Sequence, residues 1–270
     1  MEKNSSYGKR AQFYDIEYSP LNDIDFLSAY VDNSVNRILE IPCACGFHLK
    51  WLAETGKEIY LIDQEPKMVD IVKQKIAYYN QNKRLHASCG LMESCHIPQS
   101  VDLIIFPQES FQFLLNDIQV IDTLMNAHKN LTHNGVVIID IAIFDRQINF
   151  DSENTPAYWK SSRNERELYH DWIRDIDAEN KLSRESLYTE TASDISFTFH
   201  YKVIRNGSYI DTYNSSVTLR KFRRDLLSDL IHEAGFVINT TFGNYGQKRY
   251  QPGDPRLIFI LRKRDENRAE

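Results

Sequence analysis

The sequence predicts an α/β fold, in which a parallel sheet covered by helices on both faces carries an antiparallel insert. Three observations predict it. Apolar runs at Arg37–Ile41, Glu58–Asp63, Val101–Phe106 and Val136–Ile141 lack a two-residue alternation, which marks strands buried on both faces. Stretches of helical period separate these runs, as in successive β–α–β units. From 186 to 222 the period drops to two, the pattern of an antiparallel sheet with one buried face.

The elements follow in order. Residues 9–31 read as helical, with Phe13, Ile16 and Tyr18 on one side, a break at Pro20, and Ile24, Leu27 and Val31 at helical spacing. After the strand Arg37–Ile41 comes a turn at Pro42–Gly46 and a helix through Ala53, stopped by Gly56. Pro66 opens the helix after Glu58–Asp63, a position where its missing N–H is not needed. Met68, Val69, Val72 and Ile76 give that helix a buried stripe. Leu85–Cys89 is a short strand, and Val101–Phe106 a continuous apolar one. A helix carrying Ile118, Ile121, Leu124 and Leu131 leads through Gly135 into Val136–Ile141. Residues 145–185 are polar and aromatic with weak periodicity. In the alternating stretch, Phe197, Phe199, Tyr201 and Val203 face one way, and Asn206-Gly207 marks a hairpin turn. A helix at Arg223–Glu233, stopped by Gly235, precedes strands at Phe236–Phe242 and Leu257–Leu261. The charged Arg262–Glu270 reads as a frayed end. The chain thus divides into a body, 1–144 with 223–270, and an insert, 145–222.

Composition narrows the function. The 270 residues are 42% hydrophobic and 26% charged, which excludes disordered and collagen-like architectures. Acidic residues outnumber basic ones 38 to 32, for a net charge of −6. That balance argues against a nucleic-acid or membrane partner, whose phosphates attract basic surfaces. No apolar stretch approaches the roughly 18 residues of a membrane span, and the N-terminal MEKNSSYGKRAQ lacks the apolar core of a secretory signal. A cytoplasmic protein is expected. The four cysteines, Cys43, Cys45, Cys89 and Cys95, are spaced C-x-C and C-x5-C, unlike a zinc site. They read as small buried hydrophobes, with Cys43 and Cys89 at strand ends, and no metal is expected.

In an open parallel sheet, ligands bind beyond the carboxyl ends of the strands, where strand order reverses. The loops after Ile41, Ile62, Cys89 and Phe106 are therefore the candidates. The first, Glu40 to His48, is built of small residues and opens a helix, so backbone can approach a ligand closely. The second begins with Asp63, about 20 residues beyond the first turn, where a carboxylate can accept hydrogen bonds from two ribose hydroxyls. Asp63 could instead cap the helix at Pro66.

These residues carry a resemblance. ILEIPCACGFHLKWLAETGKEIYLIDQEPKMVDIVKQK resembles motifs I through II of the class I S-adenosylmethionine-dependent methyltransferases. VDLIIFPQESFQFLLN with LTHNGVVIIDIAIFD is similar to their fourth- and fifth-strand region. LLSDLIHEAGFVINTTFGNYG with PRLIFILRK resembles their final helix and hairpin, and AQFYDIEY the tyrosine-bearing N-terminal helix of small-molecule members. The resemblance implies a Rossmann-like seven-stranded sheet, with the antiparallel β insert forming a lid over an acceptor pocket. It implies S-adenosylmethionine as cofactor and methyl transfer by in-line displacement to the nitrogen or oxygen of a small-molecule acceptor. It places Glu40 and the loop Ala44 to Gly46 under the methionine part of the cofactor, and Asp63 on the ribose hydroxyls. Gln64 and Met68 would line the adenosine, and Leu91 and Met92 flank the adenine. Phe106 and Pro107 would close the methionine side, Phe111 approach the acceptor, and Tyr14 lie over the cofactor.

Pro42 and Ala44 stand where the family usually has glycines, and Gly90 where it often has an acidic residue. Pro42 excludes a positive φ at its position. Candidate bases are Tyr14, His200 and His170, although His200 lies on the polar face of an insert strand and also reads as a solvent-facing histidine. Tyr158, Trp159, Tyr169 and Trp172 read either as acceptor pocket or as sheet cover. The alternative function is a non-catalytic cofactor-sensing or partner-binding module on the same fold. A nicotinamide-dependent oxidoreductase lacks its G-x-G-x-x-G here. Phe106-Pro107-Gln108-Glu109 is not the Asn/Asp-Pro-Pro-aromatic motif that holds a flipped base.

Overall fold

The computed structural model describes residues 6–18, 22–79, 83–148, 153–156 and 158–265. Five parallel strands, Arg37–Glu40 (β1), Glu58–Asp63 (β2), Leu85–Cys89 (β3), Val101–Phe106 (β4) and Leu131–Ala142 (β5), lie in the order β3-β2-β1-β4-β5. Four more, Tyr169–Asp175 (β6), Asn180–Glu190 (β7), Asp194–Arg205 (β8) and Ser208–Arg220 (β9), form a separate antiparallel meander. The last two, Phe236–Phe242 (β10) and Arg256–Lys263 (β11), return to the first sheet. There β11 pairs antiparallel to β5, and β10 closes the edge. The result is a seven-stranded Rossmann-like sheet with an antiparallel insert between β5 and the final hairpin.

The helices are Ser6–Arg10 (α1), Tyr14–Glu17 (α2), Ile24–Ser28 (α3), Leu49–Glu54 (α4), Pro66–Tyr79 (α5), Asp117–Asn130 (α6) and Arg224–Glu233 (α7). The continuous apolar character of β4 has a direct cause. Ile104 and Phe106 pack on one face with Leu124, Phe236 and Phe259. Leu103 and Ile105 pack on the other with Ile38, Leu61 and Val72. The α5 stripe of Met68, Val69, Val72 and Ile76 is buried as its spacing requires. Among the described residues, no helix is long and apolar enough to cross a membrane.

Several readings need correction. Leu131 does not end a helix but begins β5, because α6 stops at Asn130. Ile118 is 74% exposed; the true stripe of α6 is Val120, Thr123, Leu124 and Ala127. The weakly periodic 145–185 hides β6 and half of β7. β6 is an edge strand whose register shifts between His170 and Trp172, which breaks its alternation in the middle. Cys43 is buried, but Cys89 ends the edge strand β3 and is exposed. The break at Pro20 and residues 266–270 of the tail lie outside the described residues.

The insert turns its apolar face inward. Phe197, Phe199, Tyr201 and Leu219 cluster with Phe144, Tyr158 and Trp159, and Phe13, Tyr18 and Phe113 pack against them. The N-terminal helices are tied to this face through one buried carboxylate. Glu17 accepts hydrogen bonds from Arg10, from Arg184 Nη1 of β7 at 2.6 Å and from the Tyr201 hydroxyl of β8 at 2.8 Å. Arg184 is held in turn by Asp171 at 2.7 Å.

Candidate active site

Strand order reverses between β1 and β4, so their carboxyl ends diverge into a crevice. A cavity of about 450 Å³ fills it, within the range of roughly 300–1,000 Å³ that holds small ligands. Its floor is the loop after β1 and the ends of β2 and β4. Its cover is α2, Tyr158, and Val217 and Leu219 on the inner face of β9.

The β1 loop is set by backbone hydrogen bonds to its neighbours. Ile41 N–H donates to the Ile105 carbonyl at 3.0 Å and Cys43 N–H to the Ile62 carbonyl at 2.8 Å. Between them and α4 the chain needs left-handed residues, and Ala44 (φ +47°) and Gly46 (φ +81°) supply them. Asp63 stabilises the bend. Its Oδ2 accepts Ala44 N–H and its Oδ1 accepts Glu65 N–H, both at 2.8 Å. Asp63 is 6% exposed. Burial pushes its carboxyl up to about 6, against the pull of those two N–H donors and with the help of the Glu65 and Glu40 charges.

Glu40, at the end of β1, is clamped from one side. His48 Nδ1 meets its Oε1 at 2.8 Å, while His48 Nε2 meets Asp23 at 3.1 Å. Burial alone would lower the imidazolium, but the Asp23 and Glu40 carboxylates outweigh it and hold His48 well above its usual range. The second Glu40 oxygen, Oε2, is buried without a hydrogen-bond partner among the described residues.

On the β4 side, Pro107 leads into a 3-10 turn, Gln108–Phe113. Glu109 on this turn is buried. Its Oε1 accepts from Arg256 Nη2 at 2.6 Å, and its Oε2 meets the Tyr158 hydroxyl at 3.3 Å. Arg256 also grips Asp140 at 2.9 Å, and Asp140 accepts the Tyr245 hydroxyl at 2.8 Å. Burial raises the Glu109 carboxyl despite Arg256.

The structure brings Tyr14, Glu40, Ala44, Asp63, Gln64, Met68, Met92 and Pro107 together along the cavity wall. Other expected residues fall elsewhere. Gly46 shapes the turn but faces a neighbouring hollow under Lys50 and Lys75. Leu91 is 48% exposed and outside the cavity. Phe106 and Phe111 are core, stacked edge to face at 5.2 Å beneath the floor. His200 is corrected as a candidate base. It stands on β8 on the face away from the cavity, bonded through Nδ1 to Asn214 at 2.8 Å. His170 is exposed on edge strand β6. The departure at Gly90 has a packing cause. A Cβ there would lie 3.0 Å from Ile62 and 3.3 Å from Cys95, so a side chain would not fit without movement.

Residues not foreseen also line the cavity, among them Tyr18, His48, Glu109, Ser110 and Phe113. In the sequence Glu109 stands out only as part of a mismatch to a nucleic-acid motif. Of the four aromatics weighed for the insert, Tyr158 reaches the cavity while Trp159 is buried beside it.

Residues 38–135 match the family model described as a methyltransferase domain. The chain is 22% identical over 240 residues to a glycine/sarcosine N-methyltransferase from Aphanothece halophytica, covering 89% of this chain and 80% of that one. Among solved structures, an S-adenosylmethionine-dependent methyltransferase from Clostridium acetobutylicum superposes with a TM-score of 0.75 at 16% identity, over 96% of this chain and 99% of that one. A sugar N-methyltransferase from Streptoalloteichus sp. does so with 0.71 at 14% identity, over 95% and 93%. The structural likenesses carry the fold, and the domain match carries β1 through the start of β5. Residues 38–135 thus match a methyltransferase domain, on a chain that shares the fold of these solved methyltransferases.

Proposed function

We propose that the protein transfers the methyl group of S-adenosylmethionine to a nitrogen or oxygen of a small-molecule acceptor. One observation carries the reading. One cavity runs from the strand-end carboxylate Asp63 to Tyr158 and Leu219 of the insert, so cofactor and acceptor can share it.

The residues present suit the cofactor. Each Asp63 oxygen accepts one backbone N–H and keeps a lone pair for a ribose hydroxyl. The unpartnered Oε2 of Glu40 suits the ammonium of the methionine portion, since a buried carboxylate oxygen is costly to leave unmatched. Met68 and Met92 offer polarizable apolar surface to the adenine. Tyr14, stacked on Phe47 with centroids 5.2 Å apart, covers the site.

The cofactor supplies an electrophilic methyl group on a sulfonium with a good leaving group. The protein's part is to align the acceptor and to exclude water. The relatives named for glycine/sarcosine and sugar substrates support an acceptor of that size.

Thermal unfolding with S-adenosylhomocysteine tests this. A ligand at 100 times its Kd adds about 2.7 kcal/mol, or roughly 5–11 °C for a domain of this size. No shift at millimolar ligand contradicts the reading.

A further inference from the structure

We propose that the acceptor is an amine bearing no carboxylate, and that Glu109 receives the proton its nitrogen must lose. The proposal rests on the methyl-transfer reading above and narrows it.

The first argument is charge. Among the described residues, the acidic groups lining the cavity are Glu40, Asp63, Glu65, Glu93 and Glu109, and no lysine or arginine joins them. The cation there is His48, whose two nitrogens are already engaged by Glu40 and Asp23. Arg256 stands behind Glu109, with one terminal nitrogen on Glu109 and the other on Asp140. A carboxylate-bearing acceptor would be desolvated beside Glu109 with no free cation to meet it, which is costly. An ammonium meets the opposite environment, a buried carboxylate in a wall that also carries the aromatic side chains Tyr18, Phe113 and Tyr158.

The second argument is geometry. Glu109 is fixed from behind by the chain Arg256–Asp140–Tyr245, so its carboxylate is held at one place in the wall. Its outer contact, to the Tyr158 hydroxyl at 3.3 Å, is long and leaves Oε2 able to accept a further proton donor. The groups facing it are Arg256 of β11, Asp140 of β5, Tyr158 of the insert, Tyr18 of the N-terminal segment and Tyr245 between β10 and β11. The three tyrosines titrate far above neutrality, with Tyr18 pushed up to about 12. Asp140 turns both oxygens away, to Arg256 and Tyr245. Burial raises Glu109 above an ordinary carboxylic acid, which makes it a stronger base.

The step balances. The acceptor enters as R–NH3+ and passes one proton to the Glu109 carboxylate, giving R–NH2 and a neutral acid. The nitrogen lone pair then forms the new N–C bond while the C–S electron pair goes to sulfur. The products are R–NH2+–CH3 and neutral S-adenosylhomocysteine, and Glu109 returns its proton to water as they leave.

The test uses the full chain saturated with S-adenosylmethionine, with S-adenosylhomocysteine release as readout. Ethanolamine and glucosamine are compared with glycine, sarcosine and catechol. The carboxylate-free amines are expected to show kcat/KM at least tenfold above the other three. Their kcat/KM should rise with pH along a limb that Glu109→Gln abolishes, with kcat falling roughly 100-fold or more. Tyr158→Phe removes a donor to the carboxylate and should move that limb to higher pH, a readout that stands if Glu109→Gln does not fold. Glycine or sarcosine used equally well, methylation of catechol instead, no amine methylated, or a limb unmoved by the variants would each overturn the proposal. Failure of S-adenosylhomocysteine to bind at all would instead overturn the methyl-transfer reading beneath it.

Discussion

Asp63 shows how one side chain can hold the fold and, on the proposed reading, the cofactor as well. Its raised carboxyl, pushed to about 6 chiefly by burial, means that the fold favours the neutral acid. Stability from this group is therefore fully present below its ordinary value of 3.8 and lost as pH rises through about 6. On the proposed reading ribose hydroxyls would donate to the charged form, so ligand affinity is expected to move the other way. S-adenosylhomocysteine should bind roughly tenfold more weakly at pH 5 than at pH 7, and titration calorimetry across that window checks it. Ala44 is the second informative residue. At φ +47° it holds a conformation that suits glycine better. Ala44→Gly trades relief of that strain against a floppier unfolded chain, and should change stability by less than about 1 kcal/mol. Ala44→Val should cost about 1–3 kcal/mol, because a branched side chain tolerates this region poorly. Urea unfolding of both variants separates the two cases. Asp63 and Glu40 were legible from their places at strand ends. Glu109 was not, because a single 3-10 turn has no periodicity to mark which side chain faces a ligand.

At the scale of elements, the cover of the site is α2 joined to the insert sheet, with α1 tied in behind it. The joint is Glu17, which accepts from Arg10, Arg184 and Tyr201 in a buried setting. Burial acts to raise this carboxyl, but the two guanidiniums win and lower it. Removing one side of such a buried pair costs about 3–5 kcal/mol. Glu17→Gln should accordingly lower Tm by roughly 6–20 °C, measured by thermal unfolding at neutral pH. The insert also explains why His200 failed as a candidate. The two-residue period already puts His200 on the polar face of β8, opposite Phe197 and Phe199, where the solvent-facing reading holds. Here the apolar face, with Phe197 and Phe199 beside Val217 and Leu219 of β9, turns toward the cavity side. His200 is carried on the other face. Strand β6 is hard to read for a related reason, since the register shift between His170 and Trp172 breaks its alternation in the middle.

For the whole molecule, the alternation of doubly buried strands with helices made the sheet legible. The observed order is β3-β2-β1-β4-β5, with helices on the other connections and none between β3 and β4. The reversal of order at β1 and β4 puts Glu40, Asp63 and Glu109 at one rim, although they are spread over 70 residues of sequence. The way the insert folds back over that rim depends on long-range packing of Tyr158, Trp159 and Phe144 against β8, which no local pattern announces. The central claim is that this rim binds the cofactor through Asp63. Titration calorimetry of S-adenosylhomocysteine at pH 7 tests it most directly, comparing the native chain with Asp63→Asn. The account predicts one-to-one binding by the native chain and an affinity roughly 10- to 100-fold weaker in the variant, the worth of hydrogen bonds to a charged group. Equal affinities, or no heat from the native chain at millimolar ligand, would contradict it.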